Sequence, residues 1–153
     1  MTLGHAMRSR AGRALRRGLA GFLLLPTLAG AQDAYQVVVN AQNPVSELPR
    51  AEVSRMFLKQ SLKWGDGKYV VPVDQSANSA TRAAFCNGVH KRTPEAVQSY
   101  WQKEIFGRRT TPPFVKVGDD AVVAFVAGNA AGIGYVSGTA SLPAGVKALR
   151  LKD

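Results

Sequence analysis

From Gln36 onward the apolar positions change their spacing several times, and each change marks an element. Gln36-Val37-Val38-Val39-Asn40 is a β-branched run that ends in a polar residue, which predicts a buried strand. After a connection through Asn43-Pro44-Val45 the spacing becomes helical from Pro49, a residue suited to a first helical turn, and Val53, Met56 and Phe57 fall on one face. Trp64-Gly65-Asp66-Gly67 predicts a turn. Tyr69 to Val73 is a second apolar run, and Pro72 within it requires an edge or strand-end position because proline has no N–H for a ladder. A polar small-residue loop, Gln75-Ser76-Ala77-Asn78-Ser79, leads into a second helix with Ser79 as its natural N-cap and Phe85, Cys86 and Val89 on its buried side. Thr93-Pro94 starts a third helix in the cap-then-proline order, with Val97, Tyr100, Trp101 and Ile105 as its apolar face. Gly107 to Pro113 reads as a basic, proline-bearing loop. Asp119 or Asp120 caps a fourth helix whose Val122, Val123 and Val126 face inward and which Gly128-Asn129 stops. Ile133 to Val136 and Val146 to Leu151 are the last strands, the latter a half-buried edge.

Strands separated by helices, with a first strand apolar throughout, predict an α/β fold with the sheet covered on both faces. No repeat, heptad run or low-complexity tract interrupts this pattern.

The first 31 residues have a different character. Arg8, Arg10, Arg13, Arg16 and Arg17 precede an apolar stretch from Gly18 to Leu28, and Ala29-Gly30-Ala31 supplies the small residues that signal peptidase needs. The layout is that of a secretory signal cleaved after Ala31; the apolar run, with Pro26 inside it, falls short of the roughly 20 residues of a spanning helix. Residues 32–153 then form one expected domain in the periplasm. Removing the five leader arginines lowers the formal charge from +10 to +5. That mild excess suits anions in general and lacks the basic clusters interleaved with aromatics of a nucleic-acid surface, so no nucleic-acid partner is expected. Cys86, the single cysteine, can make no internal bridge and reads as a small core residue.

The chemistry-bearing segment is Asp74 to Arg82, which joins a strand end to a helix start and is rich in hydroxyl and amide donors. The first N–H groups of a helix have no intrahelical partners and carry partial positive charge, so Ser76, Asn78, Ser79, Thr81 and Arg82 are candidate oxyanion ligands. The same residues are equally read as an ordinary N-cap followed by a solvated arginine. No P-loop, GxSxG, HExxH or paired CxxC is present, and the histidines are His5 and His90 alone. No catalytic role, metal or cofactor is expected. Asp119-Asp120 reads as charge complementary to a helix dipole rather than as an acid pair. Trp64, Tyr100, Trp101, Phe106 and Tyr135 read as core rather than as stacking platforms.

Taken in order, Val37-Val38-Val39-Asn40, Met56-Phe57-Leu58-Lys59 with Trp64 and Gly67, Val73 through Phe85, Tyr100-Trp101 with Ile105-Phe106-Gly107, Pro112-Pro113 and Gly132-Ile133-Gly134-Tyr135-Val136 resemble the phosphate-binding subunits of ABC importers. These belong to the periplasmic binding protein class with a type II topology. The resemblance implies a single lobe of that architecture, a mixed sheet flanked by helices. Ser79-Ala80-Thr81, with Phe85 four residues further on, is similar to the family's Ser-Gly-Thr segment, which holds phosphate at a helix N-terminus. Gln75 stands where the family's anion-clamping arginine would fall, and the mature length matches little more than one lobe. The expectation is a periplasmic solute-binding-type protein for phosphate or a related oxyanion, associated with an inner-membrane ABC permease. The alternative is a non-binding interaction protein that kept the fold and contacts an envelope component or a second copy of itself.

Overall fold

The computed structural model describes residues 34–153, so the expected export signal over residues 1–31 lies outside the described residues. The β-branched run becomes β1 (Tyr35–Asn40), and the elements β2 (Glu47–Pro49), α1 (Arg50–Phe57), β3 (Val71–Gln75) and α2 (Ala80–Phe85) follow. The chain then makes a π-turn over Cys86–His90 and continues through α3 (Pro94–Arg108), β4 (Phe114–Lys116), α4 (Asp119–Ala127), β5 (Gly132–Ser137), β6 (Val146–Ala148) and β7 (Arg150–Lys152). Five strands form a mixed sheet in the order β4-β3-β5-β1-β6, and β2 and β7 form a separate parallel ribbon. β3 runs parallel to both β4 and β5, whereas β1 runs antiparallel to β5 and β6.

The alternation of strand side chains divides the core between the two faces of the sheet. Val37 and Val39 of β1 and Ile133 and Tyr135 of β5 pack with Val53, Met56 and Phe57 of α1 and Phe85 of α2. Val38 and Val136 point the other way, onto Val122 and Val126 of α4 together with Val73 and Val146. Gly134 permits the second contact: a Cβ there would lie 2.7 Å from Val122 Cγ1 and 2.8 Å from Val73 Cγ1. The expected inward faces of α1 and α2 are found, and on α4 Val122 and Val126 are buried while Val123 is half-buried. Cys86 is buried and free.

Several expectations are corrected. Pro49 precedes α1 and closes β2 instead of occupying the first helical turn. Pro72 lies in a central strand, and its strand-end character survives because the ladder to β4 starts only at Val73. Tyr69 stands outside β3 and is exposed. The run Val146 to Leu151 is not one strand. It switches sheets at buried Leu149, whose N–H donates to Val37 O at 2.8 Å, so β6 borders β1 and β7 pairs with β2. The third helix docks through Val97 and Trp101 against Leu58 and Cys86 and not on the sheet, which leaves Ile105 and especially Phe106 exposed, at 44% and 87%. The helix also runs to Arg108, into the segment expected to be loop.

Candidate functional site

Because β3, β4 and β5 are parallel, their carboxyl ends lie at one end of the sheet. There β3 leads through Ser76 to Ser79 into α2, and β4 leads through Val117-Gly118 into α4. Gly118 has φ +83, a left-handed conformation that suits glycine, and it turns the chain into the helix. The amino termini of two helices therefore face the end where open α/β sheets bind ligands.

The candidate loop is built from its own hydrogen bonds. Ser76 N–H donates to Lys116 O at 3.1 Å and Ser76 O accepts from Ser79 N–H at 3.0 Å, which closes a turn. Ser79 caps α2 as expected: its Oγ accepts from Arg82 N–H at 3.1 Å and donates to Gln75 Oε1 at 2.6 Å. Asn78 is exposed at the turn, and Thr81 is half-buried in the first turn of α2. Arg82 does not extend into solvent. It folds back so that Nε lies 3.4 Å from Asp74 Oδ2, with both side chains largely buried, and this Nε has no hydrogen-bond partner among the described residues. The structure thus brings Ser76, Ser79 and Arg82 together with Asp74 and Gln75, and leaves Asn78 outside that network.

Gln75 is the hub. Buried at 3% exposure, it donates through Nε2 to Asp119 Oδ1 at 2.9 Å and to Tyr135 O at 3.1 Å. Asp119 was expected as a helix cap, yet Gly118 holds the cap position. The Asp119 carboxylate reaches instead across to Ser137, accepting from its N–H at 3.1 Å and from its Oγ at 2.6 Å. Tyr135 stacks on Phe85 with ring centroids 3.9 Å apart, donates its hydroxyl proton to Asp74 Oδ1 and accepts from Gln75 N–H at 3.1 Å. Burial, reinforced by the Asp74 charge, holds the Tyr135 phenol far above its ordinary range. Asp119, Tyr135 and Ser137 were not singled out as site residues. Gly132 and Gly134 on either side of Ile133 and a first-turn acid are visible in the chain, but nothing in their spacing pairs position 119 with 75 and 137.

Cys86 and His90 are both held in their neutral forms. Burial pushes the Cys86 thiol up to about 11, and Asp74 nearby adds to the effect. Burial and the positive charges of Arg92 and Arg82 pull His90 down to about 4. His90 Nδ1 lies 2.8 Å from Ser54 Oγ, but among the described residues no carboxylate hydrogen-bonds His90 to complete a nucleophile–base–acid relay. No group of three or more metal-ligating side chains occurs among the described residues.

No protein-family model matches the sequence, and no curated protein matches it. The fold, however, is that of the substrate-binding proteins of phosphate ABC transporters. A structure from Clostridium perfringens, assigned as such a protein and solved with bound phosphate, superposes with a TM-score of 0.61 at 20% identity over 78% of this chain. An ABC-type phosphate transport receptor from Vibrio cholerae gives 0.55 at 21% identity over 78%, and PstS from Borrelia burgdorferi gives 0.62 at 12% over 79%. The matches cover only 45%, 46% and 48% of those three proteins. Among the described residues no helix is long and apolar enough to cross a membrane.

Proposed function

We propose that residues 32–153 form a periplasmic solute-binding-type module that recognises phosphate or a related oxyanion at the Ser76 to Arg82 loop and performs no chemistry on it. The observation that supports this reading is the convergence of the α2 and α4 amino termini at the carboxyl ends of three parallel strands, in a fold shared with a phosphate-bound structure. Ser76, Asn78 and Thr81 supply short-range donors, Ser79 joins them once its hydroxyl releases Gln75 Oε1, and the buried Nε of Arg82 supplies an N–H that lacks an aligned acceptor. Asp74 offsets part of the Arg82 charge, and a single lobe leaves the anion open to water, so binding is weak unless a second surface closes over it. That surface would come from a second copy or from an ABC permease in the inner membrane.

A second reading, an interaction protein that kept the fold, is favoured by the mutual satisfaction of Ser79 and Gln75, which leaves the capping hydroxyl already engaged. Calorimetric titration with phosphate and then sulfate at low salt separates the two. Saturable heat that disappears in Ser79→Ala and Arg82→Ala supports the oxyanion site. Neither heat nor a thermal shift at millimolar anion moves the assignment to the interaction protein, because any ligand selective for the folded state must stabilise it.

A further inference from the structure

Among the described residues the five-stranded sheet ends on one side at β4, and no strand pairs with its outer edge. The opposite end is β6, where Val146 is buried and Lys147 Nζ donates to Asn43 O, so that edge shows no large exposed apolar side chain. β4 is different. Phe114 and Val115 within it and Val117 just past it are 62%, 59% and 80% exposed.

The pairing with β3 fixes which backbone groups face outward. Lys116 O accepts from Ser76 N–H at 3.1 Å, so the Lys116 backbone faces β3, and by the alternation of a strand so does that of Phe114. Val115 therefore turns its N–H and C=O to the open side, and Pro113, which has no N–H, ends any further ladder before the strand. Side chains alternate between the faces of the sheet. Phe114 and Lys116 share the α4 face, where the Phe114 ring lies 5.5 Å from that of Phe125 and Lys116 Nζ lies 5.6 Å from the same ring. Val115 takes the other face.

We propose that β4 is the pairing edge of a homodimer, in which two copies of this chain join antiparallel about a two-fold axis at Val115. A two-fold contact must be complementary to itself. In this register Val115 of each copy exchanges N–H···O=C bonds with Val115 of the other, and Lys116 stands opposite Phe114 of the second copy, a cation beside a ring, twice over. Moving the axis to Lys116 would set lysine against lysine, which is destabilising. The charges at the strand ends agree: exposed Arg109 precedes β4 and exposed Asp120 follows it, so antiparallel pairing turns unlike ends toward each other. An acidic strand from another protein would answer Lys116 and Arg109 but would meet Asp120. Because β3 is parallel to β4, the two Ser76 to Arg82 loops lie at opposite ends of the joined sheet. Pairing neither closes nor blocks them, and this surface does not depend on the oxyanion reading.

The test is sedimentation equilibrium of the full chain at concentrations up to about 1 mM, with the backbone amide resonances followed over the same range. A contact this short belongs to the weak class that buries under roughly 1,200 Å², so a dimer with a dissociation constant of about 0.1–1 mM is the expected result. The Val115 N–H resonance should shift with concentration, and that of Lys116, already turned to β3, should move less. Val115→Pro deletes the outward N–H at an edge position that tolerates proline and should abolish the dimer. Phe114→Ala should weaken it by roughly two- to thirtyfold, because the cross-strand pair is lost twice. The Phe114 ring is mostly exposed, so this variant decides if Val115→Pro does not fold. A chain that stays monomeric at the highest concentration overturns the proposal, and so does a dimer that keeps its parent strength in Phe114→Ala. A capped peptide of alternating valine and glutamate is added to the same samples: a shift of the Val115 resonance by this peptide in a chain that forms no dimer assigns the edge to an acidic partner instead.

Discussion

Asp119→Ala is the sharpest probe of the network that underlies the candidate loop. The carboxylate accepts three hydrogen bonds, from Gln75 Nε2 at 2.9 Å, Ser137 N at 3.1 Å and Ser137 Oγ at 2.6 Å. A hydrogen bond to a charged group contributes about 1.5–3 kcal/mol, and an acid in the first turn of a helix adds about 0.3–1 kcal/mol. The terms do not add, because Gln75 Nε2 keeps Tyr135 O and the half-buried Ser137 regains water. The expected loss is therefore about 2–3 kcal/mol. Asp119→Asn retains an acceptor oxygen and should lose about 1 kcal/mol. Urea unfolding followed by circular dichroism checks both: with an m-value of about 1–3 kcal/mol/M, the midpoint for Asp119→Ala should fall by roughly 0.7–3 M at unchanged m. A loss below about 0.5 kcal/mol for the alanine variant, the level of an ordinary surface substitution, would refute the view that this carboxylate ties β3, α4 and β5 together.

Two further outcomes follow from buried groups. Gly134→Ala should cost about 1–3 kcal/mol, because its Cβ would meet Val122 and Val73, both fully buried, and an unchanged melting temperature would show that α4 can lift off the sheet at no cost. His90 carries a folded-state pKa depressed to about 4 from an ordinary 6.5, so its neutral form contributes stability that is fully present above pH 6.5 and is lost as the pH falls through 4. That term is on the order of 3 kcal/mol; unfolding measured from pH 7 to pH 4 should show it in the parent and a flatter profile in His90→Gln, and identical profiles would contradict it.

The local patterns in the chain were enough for much of the framework. The β-branched run of β1, the faces Val53-Met56-Phe57 and Val122-Val126, and the Ser79 and Thr93 caps all stand in the structure, because helix and strand periods and capping chemistry act over a few residues. What escaped that reading depends on contacts between distant positions. β2 and β4 have three residues each, less than a readable alternation, and exist through pairing with β7 and β3. Exposed Ile105 follows the helical stripe of α3 but meets no sheet, since only the first half of that helix docks, and Phe106 lies off that stripe and is exposed as well. The loop was found from its donors, whereas its electrostatics were not: Arg82 turns to Asp74, and Gln75 reaches Asp119 and Tyr135, 44 and 60 positions away. Residue types within a turn or a strand determined which elements form; the packed sheet alone decided which buried polar groups satisfy one another, because a group removed from water must find whatever partner the fold brings within hydrogen-bond distance.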